Sequence, residues 1–141
     1  MIKDFINGQL KIFLNLALLN KNISLINYME IKEHQTSSAK IAEIISNEII
    51  IKNAEDGLDL LGNLYYQGFD TIIIHEKNII SNFFDLKNGM AGEILQKFSN
   101  YRVRLAIIGS FEQCIAKSIR DFIYESNNGK QINFSLAQLP L

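Results

Sequence analysis

The sequence predicts an α/β domain: a small, mostly parallel or mixed sheet with helices and an N-terminal antiparallel hairpin. Three observations carry this. Two short alternating segments, Glu30–His34 and Lys40–Ser46, follow each other across a small polar connection. Beyond them, apolar runs of strand length alternate with longer helical patterns, which implies right-handed crossovers and parallel pairing. Ile72-Ile73-Ile74 and Ala106-Ile107-Ile108 run without alternation, the pattern of strands covered on both faces.

Each element has its own signal. In Lys40–Ser46, Ile41, Glu43 and Ile45 fall on one face and Ala42 and Ile44 on the other. The preceding QTSSA is small and polar, which suits a hairpin connection. Glu48–Ile51 reads as a brief third strand. Asn53 is a good N-cap, with Glu55 and Asp56 in the first turn where the helix dipole favours acids. Leu58, Leu61, Leu64 and Tyr65 then recur at three and four, predicting one buried face, and Gly68 is the expected residue just past the helix end. The strand DTIIIH comes next. After a loop around Phe83–Phe84, a helix is expected from about Asn88, with Met90, Ile94, Leu95 and Phe98 inward. RVRLAIIG is a strand ended by Gly109. Phe111–Gly129 supplies a third helix that buries Ile119, Phe122 and Ile123 and stops at Asn127-Asn128-Gly129. QINFSL is the last strand.

Residues 1–28 differ in composition from the rest of the chain. They hold five Asn, six Leu and four charged residues. Asp4 and the lack of a small-x-small cleavage site argue against a secretory signal. A short amphipathic helix over Gln9–Leu19 fits better, with Leu10, Ile12, Phe13, Leu16 and Leu19 on its apolar side. The organisation expected is an N-terminal extension over 1–28, non-native or loosely ordered and dispensable, and a single α/β domain over 29–141.

Composition narrows the function classes. The chain has 141 residues, 48% hydrophobic and 21% charged, with a net charge of -1. That length suits one domain. One Cys and one Pro exclude a disulfide scaffold and a Pro-rich chain. The near-neutral charge and scattered basic residues give no field for nucleic acid. No apolar run approaches the ~20 residues that span a bilayer, so no membrane partner and a cytoplasmic location are expected. Ile, Asn and Lys fill 50 of the 141 positions, which fits the codon bias of an AT-rich genome. Cys114 reads as a small buried apolar residue rather than a nucleophile. His34 and His75 with one Cys cannot build a zinc site without carboxylates, so neither a metal nor another cofactor is expected.

The stretches HEKNIISNFFDLKNGMAGEILQKFSNYRVRLAIIG and KSIRDFIYESNNGKQINF carry a resemblance. From about Met29 to Phe134 the chain resembles the uncharacterised bacterial family called domain of unknown function 4180. That family implies no activity. Its members start near Met29, carry an acid where this chain has Ser110, and continue into a helix after the last strand. The order of elements is also similar to that of STAS-like domains, small regulatory modules that bind partner proteins. That resemblance places the regulatory turn between the strand ending at His75 and the next helix. The turn here reads DLKNGMAGE, with no Ser or Thr to phosphorylate.

In a parallel sheet, ligands collect beyond the carboxyl ends of the strands. His75 and Glu76 end one strand and Ser110 comes just after another. Asp85, Asn88, Lys117 and Arg120 belong to segments that start from the same rim. These seven residues form the candidate binding pocket, with His75 as base or ligand, Glu76 or Asp85 orienting it and Arg120 holding an anion. The structural alternative is that His75 and Glu76 hold the adjoining loop through backbone hydrogen bonds. Asn88–Gly92 has small residues at a helix start but no phosphate-loop Lys, and Asp85 nearby repels an anion. Arg120 and Tyr124 are neighbours at i,i+4, either a binding edge or a solvated face.

The function expected is a non-enzymatic binding or regulatory module for a protein partner or small ligand. The alternative is a small hydrolase or lyase using His75 with Glu76 or Asp85. Convergence of these groups in one concave pocket would favour the enzyme, and dispersal the module. His75 is expected to be mostly buried and hydrogen-bonded. A homodimer is expected from the short hairpin edge, from Leu136, Leu139 and Leu141, and from a mean hydropathy of +0.06.

Overall fold

The computed structural model describes residues 29–136, so the expectations for the extension over 1–28 and for Leu139 and Leu141 lie outside the described residues. Strands β1 (Glu30–Gln35) and β2 (Lys40–Ile45) form the hairpin. They are followed by α1 (Ala54–Tyr66), β3 (Thr71–His75), α2 (Met90–Tyr101), β4 (Arg104–Gly109), α3 (Lys117–Asn128) and β5 (Ile132–Leu136). The five-stranded sheet runs in sequence order, β1 antiparallel to β2 and the others parallel. The α/β class with an antiparallel hairpin on a mixed sheet is therefore what the chain adopts.

Sequential parallel strands joined by right-handed crossovers carry their helices on one side. Burial shows that side directly. Ala42, Ile44, Ile72, Ile74, Leu105, Ile107, Ile132 and Phe134 share one core cluster with Leu61, Leu64, Ile94, Phe98 and Ile119 of the helices. The alternate strand residues, Ile41, Glu43, Thr71, Ile73, His75, Ala106 and Ile108, point the other way and lie outside that cluster.

The helices keep their sequence signals with some shifts. Asn53 caps α1, its Oδ1 accepting from the amide of Asp56 at 2.8 Å, while Asp56 accepts from the amide of Lys52 at 3.0 Å. The buried stripe of α1 is Gly57, Leu60, Leu61 and Leu64, not the expected Leu58 and Tyr65. A Cβ at Gly57 would sit 2.8 Å from Ile94 Cδ1, so the missing side chain draws α2 in over that face. Tyr65 is left half exposed, stacked edge-on against Tyr101 with centroids 5.0 Å apart. Helix α2 starts at Met90 because Gly89 is left-handed (φ 78°) and Asn88 Oδ1 accepts from the Met90 amide. Helix α3 begins at Lys117 rather than near Phe111, whose own φ of 57° cannot belong to a right-handed helix.

The expected strand at Glu48–Ile51 reduces to a single bridge between Ile51 and Ile79. At the other edge, Asn127 closes β5. Its amide Nδ2 donates to the Phe134 carbonyl at 3.0 Å and its Oδ1 accepts from the Phe134 amide at 2.7 Å. A side chain thus occupies backbone groups that an edge strand would offer to another chain.

Candidate functional site

The carboxyl ends of β3 and β4 bring Glu76 and Gly109 together. A Cβ at Gly109 would lie 2.5 Å from Glu76 Cβ, so the Glu76 side chain passes directly over the glycine. From there its Oε1 accepts from the amide of Phe111 at 3.0 Å and its Oε2 from Gln113 Nε2 at 3.0 Å. Glu76 therefore anchors the left-handed turn at Phe111 that leads toward α3. Cys114 sits in the same loop, 6% exposed. Burial pushes its thiol up to about 11, and the Glu76 carboxylate adds to the shift. Such a thiol is a poor nucleophile at neutral pH, in keeping with its sequence reading as a buried apolar residue.

His75 does not turn toward Glu76 or Asp85. Alternation along β3 sends Ile72 and Ile74 to the helices and His75 to the opposite face, with 28% of its side chain exposed. The imidazole is mostly buried and hydrogen-bonded, as expected, but on the face away from Glu76 and Asp85. Its Nε2 lies 3.2 Å from Glu43 Oε2, and His34 Nε2 lies 2.9 Å from Glu43 Oε1. Glu43 opposes Lys32 on β1 and Ile73 on β3, so each histidine reaches it diagonally from a flanking strand. Burial alone would raise the Glu43 carboxyl, but the hydrogen bonds and positive charge of the two imidazoles outweigh it and hold the group below its ordinary value. A carboxyl lowered in the folded state adds stability above its ordinary value of 4.5, and this is lost as pH falls through the folded value. Glu43→Gln should therefore cost about 1 kcal/mol at pH 7. The gap to the parent protein should close below pH ~4.5. Thermal unfolding of both proteins across pH checks it; a gap that persists in acid would mean that the carboxylate charge is not the cause.

The remaining candidates are dispersed. Asp85 caps a 3-10 turn, accepting from the Lys87 amide at 3.2 Å. Asn88 Nδ2 donates to the Asn82 carbonyl at 2.6 Å. Lys117 pairs with Asp121 one turn along α3, and Arg120, Tyr124 and Ser110 are exposed. Only Glu76 and Ser110 line a common depression, an open concavity of about 530 Å³ at the rim. Its floor includes Ile49, Ile79 and Ile80, and its margin carries Lys77 and Glu112. A second concavity, about 670 Å³, is lined by Ile41, Thr71, Ile73, Arg104 and Asn133 of the strands and by Asn127 at the end of α3.

Sequence reasoning missed two residues that organise these regions. Glu43 was legible only as one polar position in an alternating strand. Asn78 is fully buried, and its Nδ2 donates to the carbonyls of Ser46 and Glu48, each at 2.8 Å. Its own carbonyl accepts from the amides of Ile50 and Ile51. The segment after β2 is thereby tied to the segment after β3, which shapes one wall of the rim depression. Among the described residues no group of three or more His, Cys, Asp or Glu is placed to hold a metal ion, and no helix is long and apolar enough to cross a membrane.

Comparison with known proteins places the domain by sequence. A family model described as a domain of unknown function (DUF4180) matches residues 36–139. No curated protein and no solved structure matches the chain.

Proposed function

The chain belongs to the DUF4180 family, and from that premise we propose that it is a non-catalytic binding module, regulatory in type, that docks a protein partner on the rim at the carboxyl ends of its parallel strands. One observation carries the reading: three of the rim's polar side chains, Glu76, Asp85 and Asn88, are spent on holding backbone. Glu76 takes the Phe111 amide, Asp85 the Lys87 amide, and Asn88 links the Asn82 carbonyl to the Met90 amide. The hydrolase or lyase alternative needs His75 beside Glu76 or Asp85, and the imidazole bonds to Glu43 instead.

The rim depression fits a protein better than an enclosed small molecule. It is shallow, with an apolar floor and a margin of mixed charge, the anatomy of a protein interface. Ile49 on its floor is 42% exposed, and Ile115 in the nearby loop is 79% exposed. Both are branched apolar side chains of the kind that anchor a contact.

Two measurements test this. A photo-crosslinking residue at Ile49 or Ile115, introduced into the full chain in cells, should give one discrete heavier adduct, while the same residue at Glu55 on α1 gives none. Equal labelling at all three positions counts against a docking rim. A panel of ester, phosphomonoester and amide substrates should show no turnover that depends on His75. Activity present in the parent protein and lost in His75→Ala would overturn the non-catalytic reading.

A further inference from the structure

The concavity of about 670 Å³ is lined differently from the rim depression. The rim mixes Glu76, Lys77 and Glu112. Here, among the described residues, Arg104 alone is charged and no acid contributes to the lining. Apolar surface from Ile41, Ile73 and Ala106 lies in the same concavity. Its volume falls within the roughly 300–1,000 Å³ of small-molecule sites, which combine apolar walls with a few polar groups. Thr71 and Arg104 are the first residues of β3 and β4, whereas Glu76 and Ser110 follow the far ends of those strands. The two concavities are therefore separate.

Strand register assembles the polar part. Thr71 pairs with Arg104, and Ala106 pairs with Asn133. Paired residues share a face, so a hydroxyl, a guanidinium and an amide stand together on the side turned from the helices. Arg104 Nε donates to the Lys130 carbonyl at 2.8 Å. That bond holds the guanidinium and leaves both Nη groups without a partner among the described residues. The nearest acid in sequence, Asp70, turns elsewhere: its Oδ2 accepts from the Lys40 amide at 2.8 Å.

We propose that this concavity binds a small monocarboxylate with an apolar body. The carboxylate sits on the Arg104 Nη groups and the Thr71 hydroxyl, and the body lies over Ile73 and Ala106. One unpaired cation balances one negative charge, and the planar guanidinium offers parallel donors to two carboxylate oxygens. A phosphate monoester brings close to two charges at neutral pH, the second of which nothing in the lining balances. A cationic ligand meets the same guanidinium as a repulsion.

The test is a titration of the full chain, labelled with nitrogen-15, with decanoate, decylamine and decyl phosphate. Decanoate should shift the amides of Ile73, Ala106 and Asn133 saturably while leaving Ile49 and Ile80 at the rim unmoved. Decylamine should shift none of these, and decyl phosphate should bind more weakly than decanoate. Arg104→Gln should weaken decanoate about tenfold or more, the loss expected for one charge-assisted hydrogen bond. Ala106→Leu, which fills the apolar part, should abolish the shifts and serves if Arg104→Gln does not fold. The proposal is overturned by an absence of saturable shifts, by equal shifts at the rim, or by decylamine or decyl phosphate binding as well as decanoate. Unchanged decanoate affinity in either variant overturns it as well.

Discussion

Gly109→Ala should lower the unfolding free energy by about 3 kcal/mol, roughly 10 °C in the midpoint of thermal unfolding. The added methyl group would lie 2.5 Å from Glu76 Cβ and 2.6 Å from its Oε1. The Cβ is fixed to the backbone, so no side-chain rotation relieves the first contact. Either β3 and β4 separate at their ends or Glu76 swings out. In the second case the Phe111 amide and Gln113 lose their carboxylate partner, and charge-assisted hydrogen bonds of this kind are worth about 1.5–3 kcal/mol each. The loop that carries Cys114 is then released. Its thiol, 6% exposed, should react with a thiol reagent markedly faster in the variant than in the parent protein. A variant with unchanged midpoint and unchanged thiol reactivity would show that Glu76 does not press on Gly109.

Asn78→Ala should cost about 2–3 kcal/mol. The substitution strips the donor from two carbonyls, those of Ser46 and Glu48, the first of them buried. An unpaired buried carbonyl costs roughly 1–3 kcal/mol, less where solvent reaches it, as at Glu48. Part of the loss is offset, because Asn78 Oδ1 is itself buried without a partner and leaves with the side chain. Asn78→Asp should be worse than Asn78→Ala, since it faces two carbonyl oxygens with a carboxylate. Chemical denaturation ranks the three proteins. Amide exchange should also quicken at Ile50 and Ile51, which bond to the Asn78 carbonyl. If Asn78→Asp equals or exceeds Asn78→Ala in stability, the side chain does not donate to both carbonyls.

The candidate site was only partly legible before folding. The seven rim residues were chosen because strand ends and the segments leading from them share one end of a parallel sheet, and that placement holds for Glu76 and Ser110. It does not bring His75 to them. A strand end offers two directions, and the side taken depends on the register of alternation. Counting from Ile72 and Ile74 inward, His75 had to face away from the helices once all three lay on one side. The partner it meets there, Glu43, is 32 residues distant in sequence. No local pattern marks such a pair.

Other differences share that cause. Leu58 and Tyr65 fit a helical stripe as well as Leu60 does, and the choice was made by Gly57, where a missing Cβ admits Ile94. The start of α3 was displaced by a left-handed Phe111 held by a carboxylate from the end of β3. What the sequence determined by itself was the succession of elements. Asn53 caps, Gly68 and Gly89 turn left-handed, and the Ile runs make strands, because these depend on backbone sterics and on hydrogen bonds within a few residues. What only the tertiary structure decided was which side chains meet. The helix rotation, the Glu76 anchor, the Asn78 tie and the His34–Glu43–His75 cluster all form across strands or crossovers, where packing distances of a few ångströms select among faces that are locally equivalent.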